Sequence, residues 1–237
     1  MRYRIGAAVA CLLLTNSFAD TPIHVKQFEA LYRSARTLQT TFLEQYSENG
    51  HIVRTEAGIA YFRRPGKMRW EYRSPEQNLF LVDGKTAWFY VPADHTVTRV
   101  PAKESTDWRT PLALLAGEMK LSRICARVEL ATSEKPLKAD NVVLSCALKG
   151  SESRADQAIG NDAVYAKRDA LFLEFSNVSN ELVRIIMHSS GGVDIEFRFT
   201  DWQFGPALPD SFFRFEVPPG VAIVNGDLPA SYSGVNP

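Results

Sequence analysis

The sequence predicts a mainly β protein with a few helices: a curved antiparallel sheet forming an incomplete, half-closed β-barrel covered by a helical lid. Three observations lead there. Apolar and polar residues alternate in run after run beyond residue 51, most cleanly in "VDIEFRFT" at 193–200. Turn dipeptides such as Pro65-Gly66 and Asp83-Gly84 separate the runs. A short apolar segment, "TPLALLAG" at 110–117, interrupts the strands and carries its own helix boundaries. A sheet of about ten strands tends to curl rather than stay flat.

The first 19 residues read as a signal peptide to be cleaved. Arg2 and Arg4 make the positive start, "IGAAVACLLL" the apolar run, and Ser17 and Ala19 the small-residue cleavage site before Asp20. The apolar run is too short to span a bilayer. Cys11 does not read as a lipid-anchor acceptor, because Ala8 stands where a larger aliphatic is expected and the apolar run continues past it. The expectation is a soluble, exported protein in which residues 20–237 form a single domain. Basic and acidic residues balance at 27 each, without a long basic tract, so nucleic acid is not an expected partner.

Residues 22–46 are expected to form a helix. Thr21 can cap it, Pro22 suits its first position, and Phe28, Leu31, Ala35, Leu38 and Phe42 recur at spacings of three and four. A period of two then begins. Ala60, Phe62 and Arg64 share one side of a strand, and Ile59, Tyr61 and Arg63 the other. After the turn at Pro65-Gly66, Met68, Trp70 and Tyr72 face one way and Lys67, Arg69 and Glu71 the other. Lys67 and Arg69 are expected to be solvated. "QNLFLVDG" and "KTAWFYV" make a hairpin through Asp83-Gly84, and "HTVTRV" follows. Thr110 and Pro111 can start the short helix, Gly117 can end it, and Leu112, Leu114 and Leu115 make it apolar. Strands resume at 121–130 and 141–149. Residues 150–168 read as a loop, three further strands follow, and the tail from Leu208 is extended.

Cys125 and Cys146 lie in two strand-like runs joined through "SEKPLKAD". A hairpin folding near Glu134–Pro136 brings them opposite one another, where either a cross-strand disulfide or two buried thiols fits. Neither cysteine has a Cys or His neighbour suited to metal.

A search for catalytic chemistry is unrewarding. His24, His51, His95 and His188 are scattered, without metal-ligand spacing. There is no nucleophile elbow and no phosphate loop. No enzyme activity, metal or cofactor is expected. What remains is apolar surplus on the inner face of a curled sheet, assigned here to Trp70, Tyr72, Leu79, Leu81, Trp88 and Tyr90. Such a face is either an ordinary filled core or the lining of a lipid cavity.

The stretch "GIAYFRRPGKMRWEYRSPEQNLFLVDGKTAWFYVPADHTV" resembles the central segment of the LolA family, the periplasmic outer-membrane lipoprotein carriers. That family shows a strand, Arg-Pro, a Trp-containing strand, a proline and "SDGKTLWFYDP", where this chain has Val82 in place of the serine. "FTDWQFG" and "LPDSFFRFEVPPGV" resemble the family's closing segment, and "TPLALLAG" falls at its lid helix. The polar 150–168 stretch, the two cysteines and the tail past Asn225 depart from it. The resemblance implies a soluble, monomeric periplasmic protein. Such a protein takes lipoproteins from an inner-membrane ABC transporter, shelters their acyl chains and delivers them to an outer-membrane receptor of LolB type. It implies that Arg64 latches the lid near 110–117, against a plain rim charge paired with a carboxylate. It implies that Met68 serves partner handover, against plain strand packing. Phe62, Trp70, Tyr72, Leu79, Leu81, Trp88, Tyr90, Leu112, Leu114 and Leu115 would line the acyl-chain cavity. A relative carrying or sensing another lipid, or an exported hydrolase, is the alternative.

Overall fold

A computed structural model describes residues 23–103, 113–117, 120–149, 170–189 and 192–226. The expected signal peptide, Thr21 and Pro22, Thr110–Leu112 and the 150–168 loop lie outside the described residues.

Among the described residues, twelve strands form one open, curved sheet. In chain order they are β1 (Thr37–Glu48), β2 (His51–Arg63), β3 (Lys67–Ser74), β4 (Leu79–Val82), β5 (Thr86–Val91), β6 (Thr96–Pro101), β7 (Cys125–Leu130), β8 (Val142–Leu148), β9 (Ala170–Phe175), β10 (Leu182–His188), β11 (Val193–Phe204) and β12 (Ala222–Asn225). The spatial order is β12-β6-β5-β4-β3-β2-β1-β11-β10-β9-β8-β7. Every one of these pairings is antiparallel except that of β12 with β6, which is parallel. Helix α1 (Ile23–Ser34) precedes the sheet, and the short α2 (Ala113–Ala116) lies against β2 and β3.

The N-terminal helix is shorter than the sequence predicts. It ends at Ser34, and 37–48 is strand β1, paired on both edges with β2 and β11. Leu38 and Phe42 are four apart, a spacing that returns to one face in a strand as well as in a helix. The burial of β1 alternates through Leu38, Thr40, Phe42, Glu44 and Tyr46. Thr37, Thr40 and Thr41 also favour the extended chain.

The register separates two faces. Facing residues on paired strands share a face. Trp70 pairs with Ala60 on one side and Phe80 on the other, and Phe80 pairs with Phe89. The concave face therefore carries Phe42, Ala60, Phe62, Met68, Trp70, Tyr72, Phe80 and Phe89, all buried in one continuous core with Phe197 and Phe199 of β11. Phe42 opposes Gly58 in β2. A Cβ at Gly58 would sit 2.0 Å from the Glu71 carbonyl oxygen and 2.9 Å from the Phe42 ring, so only glycine fits.

The convex face is covered, not bare. The chain after β11 runs across it, with a 3-10 turn at Asp210–Phe213, before pairing with β6 as β12. Lys67 and Arg69, expected to be solvated, anchor this segment. Lys67 Nζ donates to Asp210 Oδ1 at 2.7 Å, Arg69 Nη1 donates to the Phe212 carbonyl at 3.2 Å, and the Arg69 guanidinium stacks over the Phe212 ring at 4.6 Å.

Cys125 and Cys146 form a disulfide with Cα atoms 5.3 Å apart. They are not directly opposite, as the sequence suggests. Cys125 faces Leu148 and Cys146 faces Val128, with a register shift between Cys125 and Arg127. The β7–β8 connection then lies against the back of β9 and β10. There the buried Glu174 carboxylate accepts from Leu137 N (2.7 Å), Asn141 Nδ2 (2.6 Å) and Arg184 Nε (2.7 Å).

Candidate functional site

The sequence points to the concave face, and the structure divides the residues proposed for it. Phe62, Trp70 and Tyr72 lie there, buried. Leu79, Leu81, Trp88 and Tyr90 do not. Leu79 faces Tyr90 and Leu81 faces Trp88, one residue out of phase with the Phe80–Phe89 pair, so these four belong to the convex face. Phe215 of the covering segment lies 5.3 Å from the Trp88 ring and 5.5 Å from the Tyr90 ring. The cause is visible in "LFLV" and "WFYV": both faces are covered, so the runs are apolar throughout and alternation cannot assign a side. Phe80, Val82, Ala87, Phe89 and Val91 take their place inside.

At the centre of the concave face Trp70 is edge-on to Phe42 (4.8 Å between centroids), Phe62 (5.7 Å) and Phe197 (5.6 Å). One polar group reaches in from the end nearest the β1–β2 hairpin: Tyr72 Oη donates to the buried Glu44 Oε2 at 3.0 Å. Met68 is 6% exposed and faces Phe62 and Val82 across the strands, so in this state it packs the core and offers a partner no surface. Leu115 is buried with Ala116, whereas Leu112 and the side chain of Leu114 lie outside the described residues.

Helix α1 closes the other side. Phe28 packs on Phe175 at 4.5 Å, and Tyr32 packs edge-on against Trp202 (5.1 Å) and Phe204 (5.2 Å). The Tyr32 hydroxyl accepts from Leu182 N at 2.9 Å, and burial pushes its pKa well above the ordinary tyrosine value. Sequence reasoning missed Tyr32, Trp202 and Phe204. Tyr32 falls outside the stripe it picked, and no periodicity reveals which strand end a helix will cover.

Arg64 follows the last residue of β2, where pairing ends and the chain turns toward α1. Its Nη2 donates to the carbonyls of Tyr32 and Ala35, its Nη1 to that of Arg33 at 3.4 Å, and its backbone N–H to that of Arg36 at 3.0 Å. These are carbonyls at the C-terminal end of α1, where the helix leaves acceptors unsatisfied and the dipole favours a cation. Among the described residues, then, Arg64 bonds the C-terminal end of α1, while Thr110–Leu112 of the expected lid segment lie outside them. The neighbouring turn reaches the short helix, since Gly66 N donates to the Ala116 carbonyl at 2.8 Å. Burial, then the nearby Arg33 charge, lowers the Arg64 pKa from its ordinary value. Arg33, Arg64, Pro65, Gly117 and Lys120 border a surface groove of about 450 Å³ where α1, α2 and the β2–β3 turn meet.

The arrangement is a continuous apolar face with helices packed against it. Its polar groups are spread along the walls, with no nucleophile and base set together among the described residues.

Comparison with known proteins agrees with the fold and the motifs. Residues 33–145 match the family model described as outer membrane lipoprotein carrier protein LolA. The outer-membrane lipoprotein carrier protein of Chromobacterium violaceum is 31% identical over 223 residues, covering 94% of this chain and 96% of that protein. Its counterpart from Nitrosospira multiformis is 26% identical over 218 residues, covering 90% and 93%. Among solved structures, an uncharacterized conserved protein from Thermus thermophilus shares the fold at a TM-score of 0.51 and 13% identity, over 86% of this chain and 98% of that one. The chain belongs to the LolA family of outer membrane lipoprotein carrier proteins.

Proposed function

We propose that the protein is a soluble periplasmic carrier of lipoproteins, sheltering their acyl chains between the concave face of the sheet and its two helices. The observation that carries this reading is the concave face itself. It is a continuous apolar and aromatic surface under two helices, with Arg64 donating to the C-terminal carbonyls of α1 and Gly66 N to the Ala116 carbonyl of α2. In this reading the sheet is a half-barrel and α1 and α2 are its lid.

The work is transfer without covalent chemistry. Acyl chains gain ~0.8 kcal/mol per buried CH₂. The closed state opposes this gain, because Trp70, Phe42 and Phe197 already bury one another and loading must part them. Capture is therefore weaker than acyl burial alone would give, which is what release requires. Arg64 raises the cost of opening by the bonds it makes to α1. An inner-membrane ABC transporter supplies the cargo and a LolB-type receptor takes it, with no cofactor on the carrier. Met68 becomes available for handover only when the helices lift.

Native mass spectrometry of the protein isolated from the periplasm tests the reading. A carrier retains acylated lipoprotein or lipid on a monomer. Protein that comes out bare, and stays bare when offered solubilised lipoprotein, would end the proposal.

A further inference from the structure

Trp70 is fully buried, yet its indole Nε1 has no hydrogen-bond acceptor among the described residues. The other indoles described are served: Trp202 Nε1 donates to the Leu182 carbonyl at 2.7 Å and Trp88 Nε1 to Asp83 Oδ2 at 3.3 Å. Buried donors without partners are rare, and each calls for an explanation. Around Trp70 stand Phe42, Phe62, Phe197 and Phe199, whose centroids lie 4.8, 5.7, 5.6 and 6.4 Å away. Ring faces are at best weak acceptors. The donor sits mid-face, between Ala60 and Phe80, far from the sheet edges.

A ligand that fits must be apolar along its length and bring one acceptor with it. An acyl chain in a glycerol ester does this, since its carbonyl accepts and cannot donate. The geometry points to Trp70 Nε1 as the donor to an ester carbonyl of the bound lipid, fixing how deep the chain's head sits. The inference rests on the carrier reading and adds a specificity residue to it. An alkyl ether of equal length offers the same apolar surface and a far poorer acceptor.

The test compares a diacylglycerol with the dialkylglycerol ether of equal chain length, on the wild-type mature protein and on Trp70→Phe. Wild type should prefer the ester by about 3- to 10-fold, the scale of one net hydrogen bond. In Trp70→Phe the preference, read as the ratio of the two affinities within that variant, should vanish. On wild type alone, one indole N–H resonance should move downfield with the ester and not with the ether, a readout independent of the variant's folding. Equal binding of both lipids by wild type, a preference that survives in Trp70→Phe, or an indole spectrum indifferent to the ester each overturns the donor role while the carrier reading stands. Binding of neither lipid removes the carrier reading and the inference together.

Discussion

Arg64 caps a helix to which it is not joined in sequence. Its guanidinium serves the carbonyls of Tyr32, Arg33 and Ala35, which α1 leaves open at its C-terminal end. Arg64→Leu removes those donors and keeps an apolar side chain. Opening of α1 should become easier by about 1–3 kcal/mol, the cost of leaving such acceptors unserved. Amide exchange along 25–32 should quicken while the β1 and β11 amides stay protected. In a reconstituted assay the variant should load cargo, hold it and deliver less of it. Unchanged exchange in α1 would show that the bonds contribute nothing to closure. Gly58 is the opposite kind of residue, kept for what it lacks. Gly58→Ala drives a methyl into the Glu71 carbonyl, which is backbone and cannot swing aside. Unfolding by denaturant should show a loss of about 1–3 kcal/mol.

At the scale of elements, the C-terminal segment is a strap across the back of β2–β6. Asp210 ties it to Lys67, whose hydrogen bond, with the charges of Lys67, Arg63 and Arg214, lowers the Asp210 pKa. A carboxylate with a depressed folded pKa contributes attachment above its unfolded pKa of about 3.9 and loses it as pH falls through the folded value. The protection factors of the Phe212 and Arg214 amides, exchange rates corrected for the intrinsic effect of pH, should therefore fall on acidification below about pH 4. Asp210→Asn should exchange faster at neutral pH and respond less to acid. On the other wing, the Cys125–Cys146 disulfide closes a sequence separation of 21. The protein should show no reactive thiol from this pair under denaturing, non-reducing conditions, and replacing both cysteines with serine should lower stability by about 2–4 kcal/mol.

These elements differ in how far the sequence reveals them. The Met68–Trp70–Tyr72 face and the Val193–Phe199 alternation are legible because each of those strands carries charged or polar residues on its other side, and the Asp83-Gly84 hairpin because its turn dipeptide marks it. Leu79 and Trp88 are misassigned because the strap covers the second side, and a strand covered on both faces has no polar phase to read. β1 is mistaken for helix because Leu38 and Phe42 satisfy both periods. Arg64 is found by motif and its inward side by alternation. Its partner among the described residues, the end of α1, depends on a contact between positions about 30 residues apart that no local pattern encodes.

The whole molecule reads as an apolar trough with two different walls. The convex wall is closed by its own chain, Phe212 and Phe215 lying on Arg69, Trp88 and Tyr90. The concave wall is closed by α1 and α2, whose polar attachments among the described residues are few. In the proposed carrier, that asymmetry decides where cargo goes. Parting α1 from the sheet frees Phe175, Trp202 and Phe204 and leaves the sheet's own ladder intact, whereas lifting the strap breaks the parallel β12–β6 pairing. Site-specific photo-cross-linking tests this most directly. A diazirine-bearing aliphatic residue at position 68, on the concave face, is compared with one at position 79, on the convex face, in protein loaded with lipoprotein. Acyl-chain adducts should form from position 68 and not from position 79. Adducts from position 79 with none from position 68 would contradict the account.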